Sequence, residues 1–447
     1  MAPRKQAAGV PRIGQLRTVP EVLEAYRLHR KEFTPNALGT LWSTIGKLVR
    51  NADELQLLSD PGRLVMLDEL AVDTESALRI FNTRVLATTL GGMASMHECG
   101  AWRGEALWAK MAALSRQCVY AMSPQELSMT AHSFAKAGRR ETALFDAIAT
   151  AAVAWLHDFK PQDLASTAWA FAVADHPAPA LFDNDAFVAQ LCAAQPGFGP
   201  AGLAQLHQWQ LWREERGAEG PSLPPELALL CSNAFSCDEG VPSMWADVLV
   251  QRDVVASLLA MQLALRYLEV RTPQGYSLDA VVLHGGREVA VVVDGPSHFR
   301  GRTPKGETAF KRRQLRAAGW ALLPVPYWEW DALGSSKVAK QEYFRAALDL
   351  AISASPTPEA SRLARAPLAR APLAQVPSAV SGELAASTTL HAAAPLSSSS
   401  VQSSRPGHTR SASSGSVQSQ SSSASGQTQY APSDWTKRMM HRLNEIE

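Results

Sequence analysis

Two stretches of the chain superimpose at a fixed offset. "SPQELSMTAHSFAKAG" (Ser123–Gly138) aligns with "KPQDLASTAWAFAVAD" (Lys160–Asp175), pairing Pro124 with Pro161, Gln125 with Gln162, Leu127 with Leu164, Thr130 with Thr167 and Phe134 with Phe171. The register continues into "ALFD" at 143–146 and again at 180–183, so the period is 37 residues. A degenerate earlier copy runs from Leu86, Thr89 and Met93 into "ALW" at 106–108. A later one starts at Phe198 and passes through "LAQLHQW". Each unit reads as two helices. The proline suits a first helical turn and an acid follows it, as the helix dipole favours. Leu127, Ala131, Phe134 and Ala135 fall on one stripe, as do Leu164, Ala168, Phe171 and Ala172. One such pair cannot bury its apolar face alone, so neighbours must stack, which predicts an α-helical repeat solenoid over 36–215.

The pattern changes from about Pro242. Helix, strand, strand, strand, basic helix, strand and helix follow in order, a small α/β domain over 242–352. The two central strands meet at "HGGR", a two-residue hairpin signal at Gly285–Gly286. That loop makes His284 face Arg287 and Asp279 face Val292. Asp294 then lies on the face of Asp279, diagonal to it at roughly 7–8 Å between Cα atoms. Carboxylates converging from adjacent strands are how a Mg²⁺ site for phosphodiester cleavage is built. "EVAVVVDGPSHFRG" adds His298 four residues after Asp294. Asp294 reads equally as the end of a strand shaping a Gly-Pro turn, and His298 as a loop histidine.

Two resemblances enter here. "PQDLASTAWAFA" resembles the octotricopeptide repeats of organellar RNA-processing factors, in which each repeat is thought to address about one base. The off-core stripe would then read RNA through Gln125, Met129 and His132 in one repeat and Gln162, Ser166 and Trp169 in the next. A drifting solvent face fits those residues as well. "GYSLDAVV", "VAVVVDGPSHF", the Gly306–Trp320 helix and "VPYWEW" together look like a RAP domain, a module of organellar RNA-binding proteins. It is similar in fold to PD-(D/E)XK nucleases of the very-short-patch-repair type. The resemblance implies a catalytic set of Asp279, Asp294 and His298, with Asp279 and Asp294 holding Mg²⁺ or Mn²⁺. Val292 stands where that pattern needs a second carboxylate, and the lysine of active members is replaced at Asp294. Cleavage is therefore the alternative, and binding without a cofactor the first reading.

Charge sharpens the choice. The chain carries 43 Lys+Arg against 42 Asp+Glu, so only clustering is informative. Between Gly295 and Trp320 lie Arg300, Arg302, Lys305, Lys311, Arg312, Arg313 and Arg316 against Glu307 alone. A single-sign segment fits phosphate contacts. The reading is a protein that binds single-stranded organellar transcripts and acts on their stability, processing or translation, with a protein scaffold as a third alternative.

The remaining segments set the frame. Residues 1–35 form a basic leader, whose composition fits a mitochondrial or plastid transit peptide and a plain basic N-terminus equally. Residues 216–241 read as a linker. Residues 353–430 are Ser-, Pro- and Ala-rich and are expected to be disordered, and 431–447 a short helix. The tail or the repeats could dock protein partners. The five cysteines form no metal-ligand spacing. No run of apolar residues is long enough to insert in a membrane.

Overall fold

The computed structural model describes residues 11–238, 245–261 and 263–355. Fourteen helices come first: α1 (Val19–His29), α2 (Pro35–Leu48), α3 (Ala52–Leu58), α4 (Pro61–Ala77), α5 (Thr83–Glu98), α6 (Glu105–Cys118), α7 (Pro124–Lys136), α8 (Thr142–Ala154), α9 (Pro161–Ala174), α10 (Pro179–Phe182), α11 (Asp185–Ala194), α12 (Pro200–Glu215), α13 (Pro225–Asp238) and α14 (Trp245–Ala260). The sheet domain follows: β1 (Ala264–Arg271), β2 (Ser277–His284), β3 (Arg287–Asp294), β4 (Phe299–Arg300), β5 (Thr303–Pro304), α15 (Gly306–Ala317), β6 (Ala321–Pro326), α16 (Tyr327–Ala332) and α17 (Lys337–Ser353).

The repeats are as the period requires. α7, α9 and α12 each open on a proline, Pro124, Pro161 and Pro200. In α7 the Glu126 carboxylate reaches back to the Ser123 N–H at 2.9 Å, half of a capping box. The first helices of successive pairs stack in the order α2, α5, α7, α9, α12, α13, and the second helices α6, α8 and α10 stack behind them. Leu127, Phe134, Leu164 and Phe171 are fully buried between the layers. α2 and α5 touch backbone to backbone. A Cβ on Gly92 would lie 2.3 Å from the Trp42 carbonyl, so only glycine allows this crossing.

Two sequence boundaries move. The leader is cut back, because Val19–His29 is a helix whose Val19, Val22, Leu23 and Tyr26 are buried in the repeat core. Their helical spacing was masked by the basic residues around them. The expected linker is mostly α13, with Leu227 and Cys231 in the repeat core and Phe235 in the sheet core. The expected disordered tail and terminal helix lie outside the described residues, apart from 353–355.

The sheet order is β1-β2-β3-β6, antiparallel except for β3 and β6, which run parallel with α15 between them. The β2–β3 hairpin turns on Gly285 (φ 53°) and Gly286 (φ 74°), both left-handed, and pairs His284 with Arg287 as the loop length demanded. The small domain does not hang free. Phe310 of α15 is 1% exposed and belongs to the hydrophobic core of the repeats, while Ala204 of α12 belongs to that of the sheet.

Two outcomes follow from this packing. Gly92→Ala should lower stability by about 2–3 kcal/mol through overpacking, whereas Gly91→Ala, with open space around it, should be neutral or stabilising in thermal melts. Phe310→Ala should cost about 3–5 kcal/mol in urea unfolding.

Candidate nucleic-acid interface

The paired register of the hairpin runs from His284 opposite Arg287 to Ala280 opposite Val291 and stops one residue short of Asp279 and Val292. The two carboxylates do not share a vacant space. Asp294 is 1% exposed, and its Oδ2 accepts two hydrogen bonds from Arg312 of α15, 3.1 Å from Nε and 2.6 Å from Nη2. His298 stands off, its Nδ1 3.9 Å from Asp294 Oδ1. Asp279 Oδ2 accepts the Val293 N–H at 2.7 Å and Oδ1 accepts Gln251 Nε2 at 2.5 Å. Both of its oxygens are thus engaged by the fold. Among the described residues no three or more His, Cys, Asp or Glu side chains converge as metal ligands would.

Sequence reasoning missed the residues that fill this edge. α14 lays Gln251 on Asp279 and Asp247 on the "DGPSH" turn, where its Oδ1 accepts the Ser297 N–H at 3.1 Å and its Oδ2 accepts the Ser297 hydroxyl at 2.5 Å. Asp247 approaches so closely that a Cβ on Gly295 would stand 2.1 Å from its Oδ1. A signal did exist. Asp247 and Gln251 are four residues apart, hence on one face of their helix.

Burial sets the protonation of the site. It pushes the Asp279 carboxyl up to about 6, against the Val293 N–H, Lys311 and Gln251, which lower it. Burial holds His298 below its ordinary value, opposed by the Asp294 charge. Both groups lean towards their neutral forms.

The basic segment divides into spent and exposed cations. Arg312 is consumed by Asp294. Arg313 donates to the Ala172 carbonyl at 2.5 Å and lies 3.3 Å from Glu215 and 3.8 Å from Asp175, so it clamps α15 to α9 and α12. Arg300 donates to the Ala137 carbonyl at 3.2 Å, at the end of α7. The expectation that these three meet phosphate is therefore corrected for Arg312 and Arg313, whose partners lie within the protein. Arg302 and Arg316 are exposed, and Lys305 and Lys311 half-buried. The sequence could not reveal the split, because Asp175, Glu215 and Ala137 come from distant repeats.

The repeat stripe divides likewise. Gln125 and Gln162 are exposed at the starts of α7 and α9. Trp169 is 3% exposed, donates from Nε1 to Gln208 Oε1 at 2.9 Å and lies 5.0 Å from the His132 ring. Burial pushes His132 down to about 4. Trp169 is thus a packing residue in this arrangement, not an open base platform. Gln208 continues the chain of bonds, donating to the Tyr276 hydroxyl at 3.1 Å, and Gln314 Nε2 donates to the Gln208 carbonyl at 3.0 Å. Repeat and sheet domain are joined by polar contacts as well as by apolar ones.

The comparisons agree with this architecture. The sequence profile of the RAP domain matches residues 291–346, which span the end of β3, α15, β6 and most of α17. A RAP domain-containing protein, chloroplastic, from Oryza sativa subsp. japonica is similar, at 43% identity over 76 residues. The matched segment covers 17% of this chain and 11% of the rice protein.

Asp279→Asn tests the electrostatics of the site. An acid whose folded value is raised supports folding below its unfolded value, near 4, and loses that support as pH rises through about 6. The amide oxygen keeps the Val293 N–H, its NH2 can donate to Gln251 once that side-chain amide turns over, and the group does not titrate. Urea unfolding should find the variant equal to wild type at pH 4 and more stable by about 2 kcal/mol at pH 7.5.

Proposed function

With residues 291–346 a RAP domain, we propose that this chain binds single-stranded RNA and acts in organellar RNA metabolism, on the stability, processing or translation of transcripts. The observation that carries the reading is the Gly295–Trp320 segment, seven cations against one acid, of which Arg302 and Arg316 remain exposed after the fold has used its share. Phosphate contacts supply most of the non-specific affinity for nucleic acid, and exposed guanidinium groups are suited to them. The helical repeats support the same reading through resemblance, with Gln125 and Gln162 as the exposed polar positions that recur. The chloroplastic rice relative favours a plastid over a mitochondrion.

Binding is favoured over cleavage by the chemistry of the strand edge. A metal shared by Asp279 and Asp294 would have to displace Arg312 from Asp294 and Gln251 from Asp279. Val292 offers no third oxygen.

The test is direct. Full-length protein is titrated against labelled single-stranded RNA between 50 and about 300 mM salt, with and without Mg²⁺ or Mn²⁺. Four phosphate contacts give a slope of about −3 in log K against log salt. The expected result is that slope with intact RNA at every metal concentration. Affinity that ignores salt, or no affinity, sinks the proposal. Metal-dependent cleavage abolished by Asp279→Ala would establish the nuclease reading instead.

A further inference from the structure

We propose that the seam between the repeats and the RAP domain is a composite binding site for the phosphodiester backbone, built from cations that neither part supplies alone. This rests on the RNA reading and gives it a location. The turn after α5 carries Arg103, β4 ends on Arg300, and the β4–β5 turn carries Arg302. The two turns face each other: a Cβ on Gly100 would lie 3.8 Å from Arg300 Cγ, and one on Gly301 would lie 4.0 Å from Arg103 Nη2. Arg300 is held there by the Ala137 carbonyl at the end of α7. Arg139 follows two residues later and stacks over the Trp108 ring at 4.9 Å.

The electrostatics of the seam are unbalanced. Arg139 pairs with Glu105 at 2.6 Å and Lys136 with Glu98 at 2.7 Å. Arg103 and Arg302 are exposed, and Lys305 is half-buried close to Cys99 and Lys136. Arg300 feels the result: burial lowers its basicity, Arg139 and Arg103 lower it further, and Glu105 alone opposes them. Docking thus gathers like charges whose repulsion the apolar seam must overcome, and a polyanion would relieve it.

Nucleic acid fits this surface better than a protein partner does. A protein interface carries an apolar centre with aromatic or aliphatic anchors. None of the exposed large hydrophobic side chains falls at residues 99–104, 136–141 or 299–305. What remains is guanidinium and ammonium, which match phosphate oxygens irrespective of base sequence.

The experiment compares two variants of the full chain with equal change of charge. One is Arg103→Glu with Arg302→Glu. The other is Arg79→Glu with Arg345→Glu, both exposed and remote in sequence from the seam. Arg103→Gln with Arg302→Gln repeats the first more gently, and thermal melting confirms that each folds. Binding to single-stranded RNA of mixed and homopolymeric sequence is measured across salt. The seam variant should bind at least about 10-fold more weakly on every sequence at 100 mM salt, with the slope reduced by about 1.4, two phosphate contacts' worth. The control should stay within about 2-fold of wild type. If wild type binds RNA and both variants bind alike, the seam is not the site, although the RNA reading survives. If wild type does not bind RNA, the reading fails first. If the seam variant loses affinity for polyglutamate but not for RNA, the surface serves an acidic protein and the proposal is overturned.

Discussion

The insertion of Phe310 into the core of the repeats is the contact on which the rest of the molecule depends. It makes α15 a member of two cores at once, with Phe310 on the repeat side and Leu315 on the sheet side. Fully burying a phenylalanine is worth about 2–3 kcal/mol, and the flanking polar bonds add orientation more than energy. Arg313, one turn on, lies over the Phe310 ring and reaches the Ala172 carbonyl; Gln314 reaches the Gln208 carbonyl. Once α15 is fixed in this way, Asp294 receives Arg312 and the β4–β5 turn meets the turn after α5.

The strand edge illustrates how a fold accommodates two neighbouring carboxylates. The fold supplies partners for the oxygens of Asp279 and Asp294. A buried carboxylate without a partner costs several kcal/mol, so each of the two needs one. Arg312 answers for Asp294. Gln251 and the Val293 N–H answer for Asp279, which burial leans towards its neutral form. The polar residues at this edge now hold strands, turn and helix together through Asp247, Gln251 and Arg312.

What could be read from the sequence was local in origin. The 37-residue period was legible because Pro124 and Pro161 mark helix starts and because the Leu-Ala-Phe-Ala stripe repeats in phase. The hairpin was legible because two glycines admit one pairing. The readings that moved depended on partners far along the chain. Val19–His29 counted as leader until Val22 and Tyr26 met the repeat core. The 216–241 segment looked like a linker because α13 divides its apolar residues between two cores, so neither stripe is complete on its own. Trp169 and His132 matched a readout stripe until Gln208 and each other occupied their polar and aromatic faces.

Charge counting has a similar horizon. A helix with four cations in six residues, Lys311, Arg312, Arg313 and Arg316, looks like a surface waiting for phosphate. Its balancing acids exist, but they are Asp294 on the neighbouring strand and Asp175 and Glu215 on the repeats. Local excess therefore overstates what a ligand can reach. The seam errs in the opposite direction. Arg103 and Arg139 are unremarkable residues of repeat turns, each with ordinary neighbours, and only docking brings them beside Arg300 and Arg302. An electrostatic footprint is thus a property of the assembled surface: the same contact that spends the cations of α15 on its inner face collects another set along its edge.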